Sequence, residues 1–365
     1  MSNNNGAAMD AGPSEGENIF AAVTMGLACV VGLIAYSIVC FIVLRRSDAN
    51  LRNSFYTFVL SLGVSDSTML LLFIVYSCPV TVLQSRPLGE RFDSLMGALC
   101  NTTYYSALPC IVCLSLNRYW AVCRFASYPS VFSKGNTRLM VAACWLMGVG
   151  TSLSQLFLCQ VRYFYHSYSW AYVEGQWGCD AIFWYDRGCV AVTCLSIVVA
   201  YGFILASLRT NRKKLAAHRN VTAVKVIVPP SSPSGNQAAP LITNEQPTRQ
   251  LTQKHKLEGR LALQFLPIAL YLLLFGMVFT VLPLYTLYRW HLYALSLLYI
   301  GNCSINPYIY LSTNRTIRGQ FLAMIPCLKK NSRRKYQQAT SSPLTTTPPR
   351  VARSQQPLKE SASAL

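Results

Sequence analysis

Two ionisable side chains, Asp66 and Arg118, interrupt long apolar stretches of this sequence. Arg118 stands in the motif Asn117-Arg118-Tyr119, where an apolar run that begins near Ser94 turns polar. A charge inside a hydrocarbon layer costs roughly 2.5–3.5 kcal/mol on insertion scales, so such a residue needs a partner or water. The arginine is either a helix-end residue that reaches the membrane surface or a switch residue at the mouth of a helical bundle. Asp66 lies near the middle of its stretch, and a carboxylate at membrane depth is a functional candidate by default.

Metal-ligating and catalytic patterns are sparse in this sequence. Cys110 and Cys113 lie one helical turn apart, but no second pair of this kind and no histidine lies near them, which favours core packing over a metal site. The four histidines are far apart. An intramembrane enzyme would need paired acids or a metal cluster, and Asp66 is the only acid within an apolar core. We therefore predict no enzymatic activity, no metal and no cofactor.

The composition is that of a membrane protein. Hydrophobic residues make up 52% of the 365 residues and charged residues only 12%, which argues against a soluble domain. Seven apolar stretches are long enough to cross a hydrocarbon core of about 30 Å as helices. They are Ile19–Leu44, Phe55–Leu83, Ser94–Val122, Leu139–Cys159, Gly188–Leu208, Leu261–Tyr288 and Leu292–Leu311. The sequence therefore predicts an all-α fold, a bundle of seven transmembrane helices.

The net charge of +19 is distributed unevenly between alternate loops. Of the 32 Lys and Arg residues, 26 lie in the intervals 45–52, 123–138, 209–260 and 315–365. An excess of basic residues in alternate loops marks the cytoplasmic side of a membrane. The pattern predicts an extracellular N-terminus, a cytoplasmic C-terminus and a plasma-membrane location. It argues against nucleic acid as the partner of the positive charge.

The segments outside the apolar stretches differ in composition. Residues 1–18 are polar and lack the apolar segment of a signal peptide, so the first stretch is expected to act as the anchor. The loop 209–260 has basic ends, and its Pro-, Ser-, Asn- and Gln-rich centre is expected to be disordered. We expect three regions: an extracellular tail over 1–18, a membrane domain over 19–328, and a disordered, phosphorylatable tail over 329–365.

A short amphipathic helix is predicted after the seventh stretch. Apolar residues recur there at helical spacing among Arg and Gln residues, as in helices that lie along a membrane surface. They are Ile317, Phe321, Leu322 and Ile325. Cys327 follows and is either a palmitoylation site or a plain cytosolic thiol.

Two motifs at the ends of spans three and seven suggest a family. Asn117-Arg118-Tyr119 and Asn306-Pro307-x-x-Tyr310, with seven spans and an outer N-terminus, resemble the rhodopsin-like (class A) G-protein-coupled receptors. The Asn-Arg-Tyr variant and the lead-in Leu51–Phe55 look most like the nematode serpentine chemoreceptors. The resemblance implies a receptor that binds an extracellular ligand and activates a heterotrimeric G protein. It also implies contacts of the tail with arrestin and receptor kinases.

The resemblance also implies roles for individual residues. Arg118 would meet the C-terminal helix of the G-protein α-subunit, Tyr201 and Tyr310 would swing inward on activation, and Glu258 would lock the arginine. Asp66, Asn302 and Asn306 would form a polar core that can hold sodium. Candidate ligand contacts are Tyr104, Tyr105, Phe279 and Tyr299, although core packing explains these aromatics equally well.

Several positions depart from the pattern of that family. Asn117 replaces the acid before the arginine, Ala107 replaces a sodium-ligating serine, and Tyr36 stands near the usual first-span asparagine. The cysteine expected at the outer end of span three would fall near Asp93, so Cys100 is the remaining candidate there. Its natural partner is Cys179 in the outer loop.

Two questions stay open in the sequence. A transporter or channel is the alternative to a receptor, but the sequence has no internal repeat and an odd number of spans. The ligand could be a peptide, an amine, a lipid or an odorant. Position 100, where amine receptors carry an acid, is cysteine, which argues against an amine.

Overall fold

The computed structural model describes residues 12–45, 54–227, 266–281 and 288–324. Each predicted span overlaps one long helix in these ranges, and a shorter helix follows the seventh. The helices are α1 (Glu15–Arg45), α2 (Ser54–Leu83), α3 (Gly89–Cys123), α4 (Lys134–Leu158), α5 (Cys179–Ile227), α6 (Leu266–Val281), α7 (Arg289–Thr313) and α8 (Arg315–Met324). Within the described chain, α1 to α4 and the part Cys179–Thr210 of α5 are long and apolar enough to cross a membrane.

The loop between α4 and α5 contains the one feature of the described chain that an all-α prediction leaves out. Strands β1 (Val161–Phe164) and β2 (Ser169–Tyr172) form an antiparallel hairpin in which Val161 pairs with Tyr172. The sequence predicted only an aromatic outer loop, because strands of four residues are too short for a clear alternating pattern. A single helical turn, Tyr128–Val131, lies between α3 and α4.

The fifth helix begins earlier than its apolar stretch. α5 begins at Cys179, whereas the predicted span began at Gly188. The added outer turns carry Asp180, Asp186 and Arg187, whose charges end the apolar pattern although the backbone continues as a helix. These turns place the charged pair Asp186 and Arg187 beside the hairpin.

Helix α3 is the centre of the bundle. It packs against α2, α4, α5 and β1. Polar residues on α3 face inward, including Asn117 and Arg118, which are 0% and 3% exposed. Large apolar residues face outward, such as Leu139 and Phe157 of α4, which are 70% and 80% exposed. An apolar outer surface of this kind is suited to lipid.

Helix α2 changes geometry before Pro79, where the sequence predicts a kink. Residues Phe73–Ser77 form a π-helical turn, and the α-helix resumes at Cys78. Proline has no backbone N–H to donate, and the wider π-helical turn accommodates the missing hydrogen bond. Phe73, at the start of this turn, lines the outer cavity described below.

Helix α8 fulfils the prediction of a short helix after span seven. Asn314 is the one residue between α7 and α8. Its side-chain oxygen accepts a hydrogen bond from the backbone N–H of Ile317 at 3.2 Å. Ile317 is fully buried and belongs to the inner hydrophobic core. By its contacts the chain divides into Met1–Phe321 and Leu322–Leu365, and only Leu322–Met324 of the second unit is described.

Candidate functional site

Arg118 is held by the amide of its neighbour near the end of α3. Its Nη2 atom donates a hydrogen bond to Asn117 Oδ1 at 2.7 Å. Asn117 Nδ2 donates to Ser54 Oγ at 2.9 Å and to the hydroxyl of Tyr128 at 3.2 Å. Because both hydroxyls accept from the amide nitrogen, the amide oxygen is turned toward Arg118. A neutral amide therefore occupies the position where the resemblance expects a carboxylate.

An aromatic ring contacts the guanidinium of Arg118, and two buried tyrosines lie near it. Its central carbon lies 4.1 Å from the centroid of the Phe55 ring, which is a cation–π contact. Tyr201 of α5 and Tyr310 of α7 are buried, and both lie close enough to interact with the charge of Arg118. The structure thus brings Arg118, Tyr201 and Tyr310 together from three helices. Tyr119 packs against α5 instead.

A buried polar core connects α1, α2 and α7. Asp66 of α2 is 5% exposed, and its Oδ2 atom accepts hydrogen bonds from two side chains. One donor is the hydroxyl of Tyr36, and the other is Asn306 Nδ2 at 3.1 Å. The sequence grouped Asp66 with Asn306, but it gave no role to Tyr36, whose hydroxyl supplies the link to α1.

A cavity of about 40 Å³ lies beside this polar core. Asp66, Asn302, Asn306 and Ala107 are among the residues that line it. The side-chain oxygens of Asn302 and Asn306 are buried and have no hydrogen-bond partner among the described residues. One water needs at least about 10–15 Å³, so the cavity has room for two or three. The three oxygen-bearing side chains fit water or a hard cation such as sodium, whereas Ala107 offers no oxygen.

A larger cavity of about 240 Å³, here called the outer pocket, lies beneath the hairpin. Aromatic side chains form much of its wall: Phe73, Tyr104, Trp170, Tyr172, Phe183 and Tyr299. Tyr104 and Tyr299 also line the smaller cavity, and their ring centroids are 6.2 Å apart in an edge-to-face arrangement. These two tyrosines therefore separate the outer pocket from the cavity beside Asp66.

The four predicted ligand contacts have different positions. Tyr104 and Tyr299 line the outer pocket. Tyr105 lies behind its wall, where its hydroxyl accepts a hydrogen bond from Gln155 at 3.0 Å. Phe279 belongs to α6, and its side chain lies outside the described part of the chain.

An ion pair in the pocket wall was not singled out from the sequence. Asp186 Oδ2 lies 3.1 Å from Arg187 Nη1, and both residues line the outer pocket. Asp186 Oδ1 accepts a hydrogen bond from the hydroxyl of Tyr105 at 3.1 Å. The only signal in the sequence is an acid beside an arginine in an aromatic loop.

Polar contacts tie the hairpin to α3. Asp93 is fully buried, forms an ion pair with Arg86 at 2.9 Å, and accepts a hydrogen bond from the backbone N–H of Tyr163 at 3.2 Å. Beside it, Arg162 Nε donates to Ser94 Oγ at 3.0 Å. We call Asp93 and Arg86 the Asp93 clamp. It fixes β1 over the outer end of α3.

The hairpin also contacts α1, α2 and α7. The hydroxyl of Tyr163 lies 2.7 Å from Thr81 Oγ1 of α2. The hydroxyl of Tyr168 donates to Asn18 Oδ1 of α1 at 2.9 Å, and its carbonyl accepts from Ser296 Oγ of α7 at 2.8 Å. Tyr168 has a φ of 56°, which costs a bulky residue roughly 1–3 kcal/mol and requires such support. The hairpin is thus a lid fastened on several sides.

Two titratable groups of the hairpin are neutral at pH 7. Burial raises the pKa of the Tyr163 phenol. Burial lowers the pKa of the His166 imidazole, and the positive charges of Arg86 and Arg289 lower it further. Neither group therefore adds a charge above the outer pocket.

The predicted disulfide between Cys100 and Cys179 is wrong. Cys179 is bonded to Cys159, which directly follows α4, with the two Cα atoms 4.8 Å apart. Cys100 is buried inside α3, and its thiol lies 3.6 Å from Met69 Sδ. The disulfide joins the ends of α4 and α5, while Asp93 ties α3 to the hairpin without a covalent bond.

Some predicted site residues lie outside the described part of the chain. These are Glu258, the proposed lock for Arg118, and Cys327, the candidate palmitoylation site. The same is true of the predicted disordered centre of the loop 209–260 and of the tail 329–365.

The comparisons with known proteins agree with this geometry. Residues 27–226 match the family model described as serpentine type 7TM GPCR chemoreceptor Srx. The chain is 25% identical to somatostatin receptor type 5 of Rattus norvegicus over 229 residues, which cover 60% of this chain and 62% of the relative. It is 29% identical to neuromedin-U receptor 1 of Mus musculus over 139 residues, which cover 36% and 30%. It is 22% identical to the G-protein coupled receptor moody of Drosophila melanogaster over 358 residues, which cover 84% and 51%. The chain therefore spans less than two thirds of the length of each of these relatives.

The fold is similar to that of squid rhodopsin. The crystal structure of that protein superposes with a TM-score of 0.67 at 15% identity, and the match covers 92% of this chain and 94% of that one. This similarity confirms the prediction of a seven-helix membrane bundle. The family model matches more than half of the chain, and this protein therefore belongs to the serpentine seven-transmembrane G-protein-coupled chemoreceptors of the Srx family.

Proposed function

We propose that this chain is a receptor that binds a ligand in the outer pocket and activates a heterotrimeric G protein at the opposite end of the bundle. The observation that carries the proposal is the arrangement along α3. Tyr104 lines the covered outer pocket and Arg118 is buried near the other end of the same helix. Asp66 and its cavity lie between them.

Activation needs no chemistry, only a difference in affinity between two states of the bundle. In the described state Arg118 is 3% exposed, and Asn117 and Phe55 hold its guanidinium. Ligand binding favours a second state in which Arg118 leaves Asn117 and meets the C-terminal helix of the G-protein α-subunit. Tyr201 and Tyr310 would swing toward the centre of the bundle in that second state.

The polar core supplies the connection between the two ends. Asp66, Asn302 and Asn306 surround a cavity that can hold water or a sodium ion, and Tyr104 and Tyr299 form its outer wall. A ligand that displaces either tyrosine changes the packing around Asp66. Tyr299 belongs to α7, so its displacement acts directly on the helix that carries Asn302 and Asn306.

The proposed orientation places the hairpin outside the cell and Arg118 inside, in the plasma membrane. The basic residues of alternate loops support it. On this basis residues 1–18 form an extracellular tail and 209–260 a cytoplasmic loop, and the tail beyond 328 is available to receptor kinases and arrestin. An epitope after Lys329 should be labelled only after cells are permeabilised. Labelling of intact cells would show that the orientation is the opposite one.

The relatives described above are receptors, which favours a receptor over a transporter, a channel or an enzyme. The test is ligand-dependent nucleotide exchange on a G protein by the full-length chain in lipid nanodiscs, with a small-molecule panel and a promiscuous Gα. We expect Arg118→Ala to lower ligand-dependent exchange by about tenfold or more, because it removes the proposed contact. Arg138→Ala, an exposed arginine of α4, should leave the exchange near the wild-type value. An equal response of wild type and Arg118→Ala would refute the role of Arg118.

A further inference from the structure

We propose that the outer pocket selects a small, uncharged molecule, and that the Asp186–Arg187 pair rejects charged ligands such as amines and carboxylates. This inference rests on the proposed function, since it names the class of ligand for the same receptor. The named relatives include somatostatin and neuromedin-U receptors. The proposed ligand class does not follow from the names of these two receptors and rests on the pocket itself.

The size and cover of the pocket argue for a small ligand. Its volume of about 240 Å³ falls below the range of roughly 300–1,000 Å³ that is typical of sites for drug-sized molecules. Val161, Ser169 and Trp170 of the hairpin form part of its lining. The hairpin is fastened to α3 through Asp93 and to α7 through Ser296. The hairpin therefore covers part of the pocket and narrows the space left for a peptide.

The lining favours an apolar body. Besides the aromatic side chains, Leu292 and Leu295 of α7 face the pocket. The polar groups that line it are largely engaged within the protein, as in Ser296 Oγ, which donates to the carbonyl of Tyr168. Burial of apolar ligand surface contributes about 25 cal/mol per Å², so an aromatic or aliphatic molecule gains most from this wall.

The charges in the wall cancel. Asp186 is 3% exposed and its carboxylate lies 3.1 Å from the guanidinium of Arg187. Tyr105 donates to the second carboxylate oxygen. A charged ligand would lose its hydration and find an oppositely charged group that is already paired, which is unfavourable. The pair therefore makes the pocket selective for neutral molecules.

The first experiment compares probes of equal size and different charge. Full-length receptor in nanodiscs is titrated at pH 7.4 with benzyl alcohol, benzoate and benzylamine, and with the matching n-hexyl and cyclohexylmethyl series. Binding is followed by tryptophan fluorescence and by thermal stabilisation, without G protein. We expect the alcohol in at least one series to bind about tenfold more tightly than its acid and its amine. The proposal is overturned if a charged member or an amidated aromatic peptide binds more tightly, or if no alcohol binds.

The second experiment changes the charge of the wall. Asp186→Asn should shift the preference about tenfold toward the carboxylate, and Arg187→Gln should shift it toward the amine. The double variant Asp186→Asn/Arg187→Gln should restore the preference for the alcohol, which guards against a single variant that fails to fold. Asp180→Asn, an exposed acid on the first turn of α5, is the matched control. Unchanged selectivity in the folded single variants, or a preference for a charged ligand in the double variant, would overturn the role of the pair.

The outcome of these binding measurements does not depend on whether the proposed signalling function is correct. A receptor that binds the alcohol but never catalyses nucleotide exchange would refute the signalling proposal alone. A receptor that signals in response to an amine or a peptide would refute only the ligand class.

Discussion

At the scale of single residues, Asn117 determines how firmly the described state holds Arg118. Its amide oxygen accepts from the guanidinium at 2.7 Å, and its amide nitrogen is fixed by Ser54 and Tyr128. The guanidinium already makes this a charge-assisted hydrogen bond, and a carboxylate in place of the amide would add the attraction of an opposite charge. The neutral amide therefore leaves Arg118 easier to release.

We expect Asn117→Asp to lower basal nucleotide exchange about fivefold, because a carboxylate would strengthen the bond to Arg118 by about 1 kcal/mol. The hydroxyls of Ser54 and Tyr128 can turn to donate to the new carboxylate. The measurement is ligand-free nucleotide exchange at equal receptor density. Gly135→Asp adds the same charge at an exposed position in the first turn of α4, where an added side chain meets no other atom within 4 Å, and is the control. An unchanged or higher basal rate in Asn117→Asp alone would contradict the account.

We expect Ala107→Ser to make the receptor more stable in sodium. The substitution adds an oxygen to a cavity that already contains Asp66, Asn302 and Asn306. Stabilisation by a bound ion follows its concentration relative to the dissociation constant and should reach about 1 kcal/mol here. The measurement is the melting temperature in NaCl and in N-methylglucamine chloride at equal ionic strength. Adding Asp66→Asn to Ala107→Ser should remove the gain in melting temperature. An equal response to sodium in wild type and Ala107→Ser would refute a sodium site in this cavity.

Charged and amide side chains are costly to place in lipid, so those within apolar stretches could be predicted as site residues from the sequence. Asp66, Arg118 and Asn306 stood out for this reason, and the structure buries all three. Tyr36 and Asp186 could not be assigned roles, because a tyrosine in an apolar stretch and an acid in a loop are ordinary. Their roles depend on partners in distant segments, such as Tyr36 with Asp66.

At the scale of elements, the hairpin is the part of the receptor that determines access to the outer pocket. Its attachment to α3 depends on a buried acid, since Asp93 joins Arg86 and the Tyr163 backbone. The disulfide Cys159–Cys179 fastens the loop at the ends of α4 and α5 instead. A covalent and a polar fastening therefore hold the same lid.

We expect Asp93→Ala to loosen the hairpin over the outer pocket. The substitution removes the ion pair with Arg86, whose side chain is 24% exposed, and leaves the buried Tyr163 backbone N–H without its acceptor. The loss should cost about 2 kcal/mol, so amide hydrogen exchange in 161–172 should accelerate by about thirtyfold. Glu90→Gln is the control on the same helix, because the Glu90 side chain is 68% exposed, and its ion pairs with Arg162 at 2.9 Å and Arg86 at 4.0 Å lie at the edge of the clamp. It should change exchange by less than about fivefold. Equal acceleration in both variants would show that the Asp93 clamp does not hold the lid.

Helices were easier to predict from the sequence than the loop that covers the pocket. A stretch such as Phe55–Leu83 is identified by its length and hydropathy alone, and α2 spans nearly the same residues. The pairing of Cys179 was predicted wrongly because it depends on where α4 ends and α5 begins. The charged outer turns of α5 concealed that boundary.

At the scale of the whole molecule, α3 connects a covered pocket to a buried arginine. The seven-helix architecture follows from hydropathy and is shared with squid rhodopsin at only 15% identity. Conservation of such a fold at low identity reflects the need to satisfy every backbone hydrogen bond within lipid. The function then depends on side chains at the two ends and on the polar core between them.

The central claim is that the outer pocket and Arg118 are coupled, and coupling between binding sites is reciprocal. The most direct measurement is the affinity of the tightest-binding alcohol for the reconstituted receptor, with and without nucleotide-free G protein, in wild type and Arg118→Ala. We expect G protein to raise the affinity of wild type by about 5–150-fold and to leave Arg118→Ala unchanged. An affinity that G protein does not alter in wild type, or alters equally in both, would contradict the account.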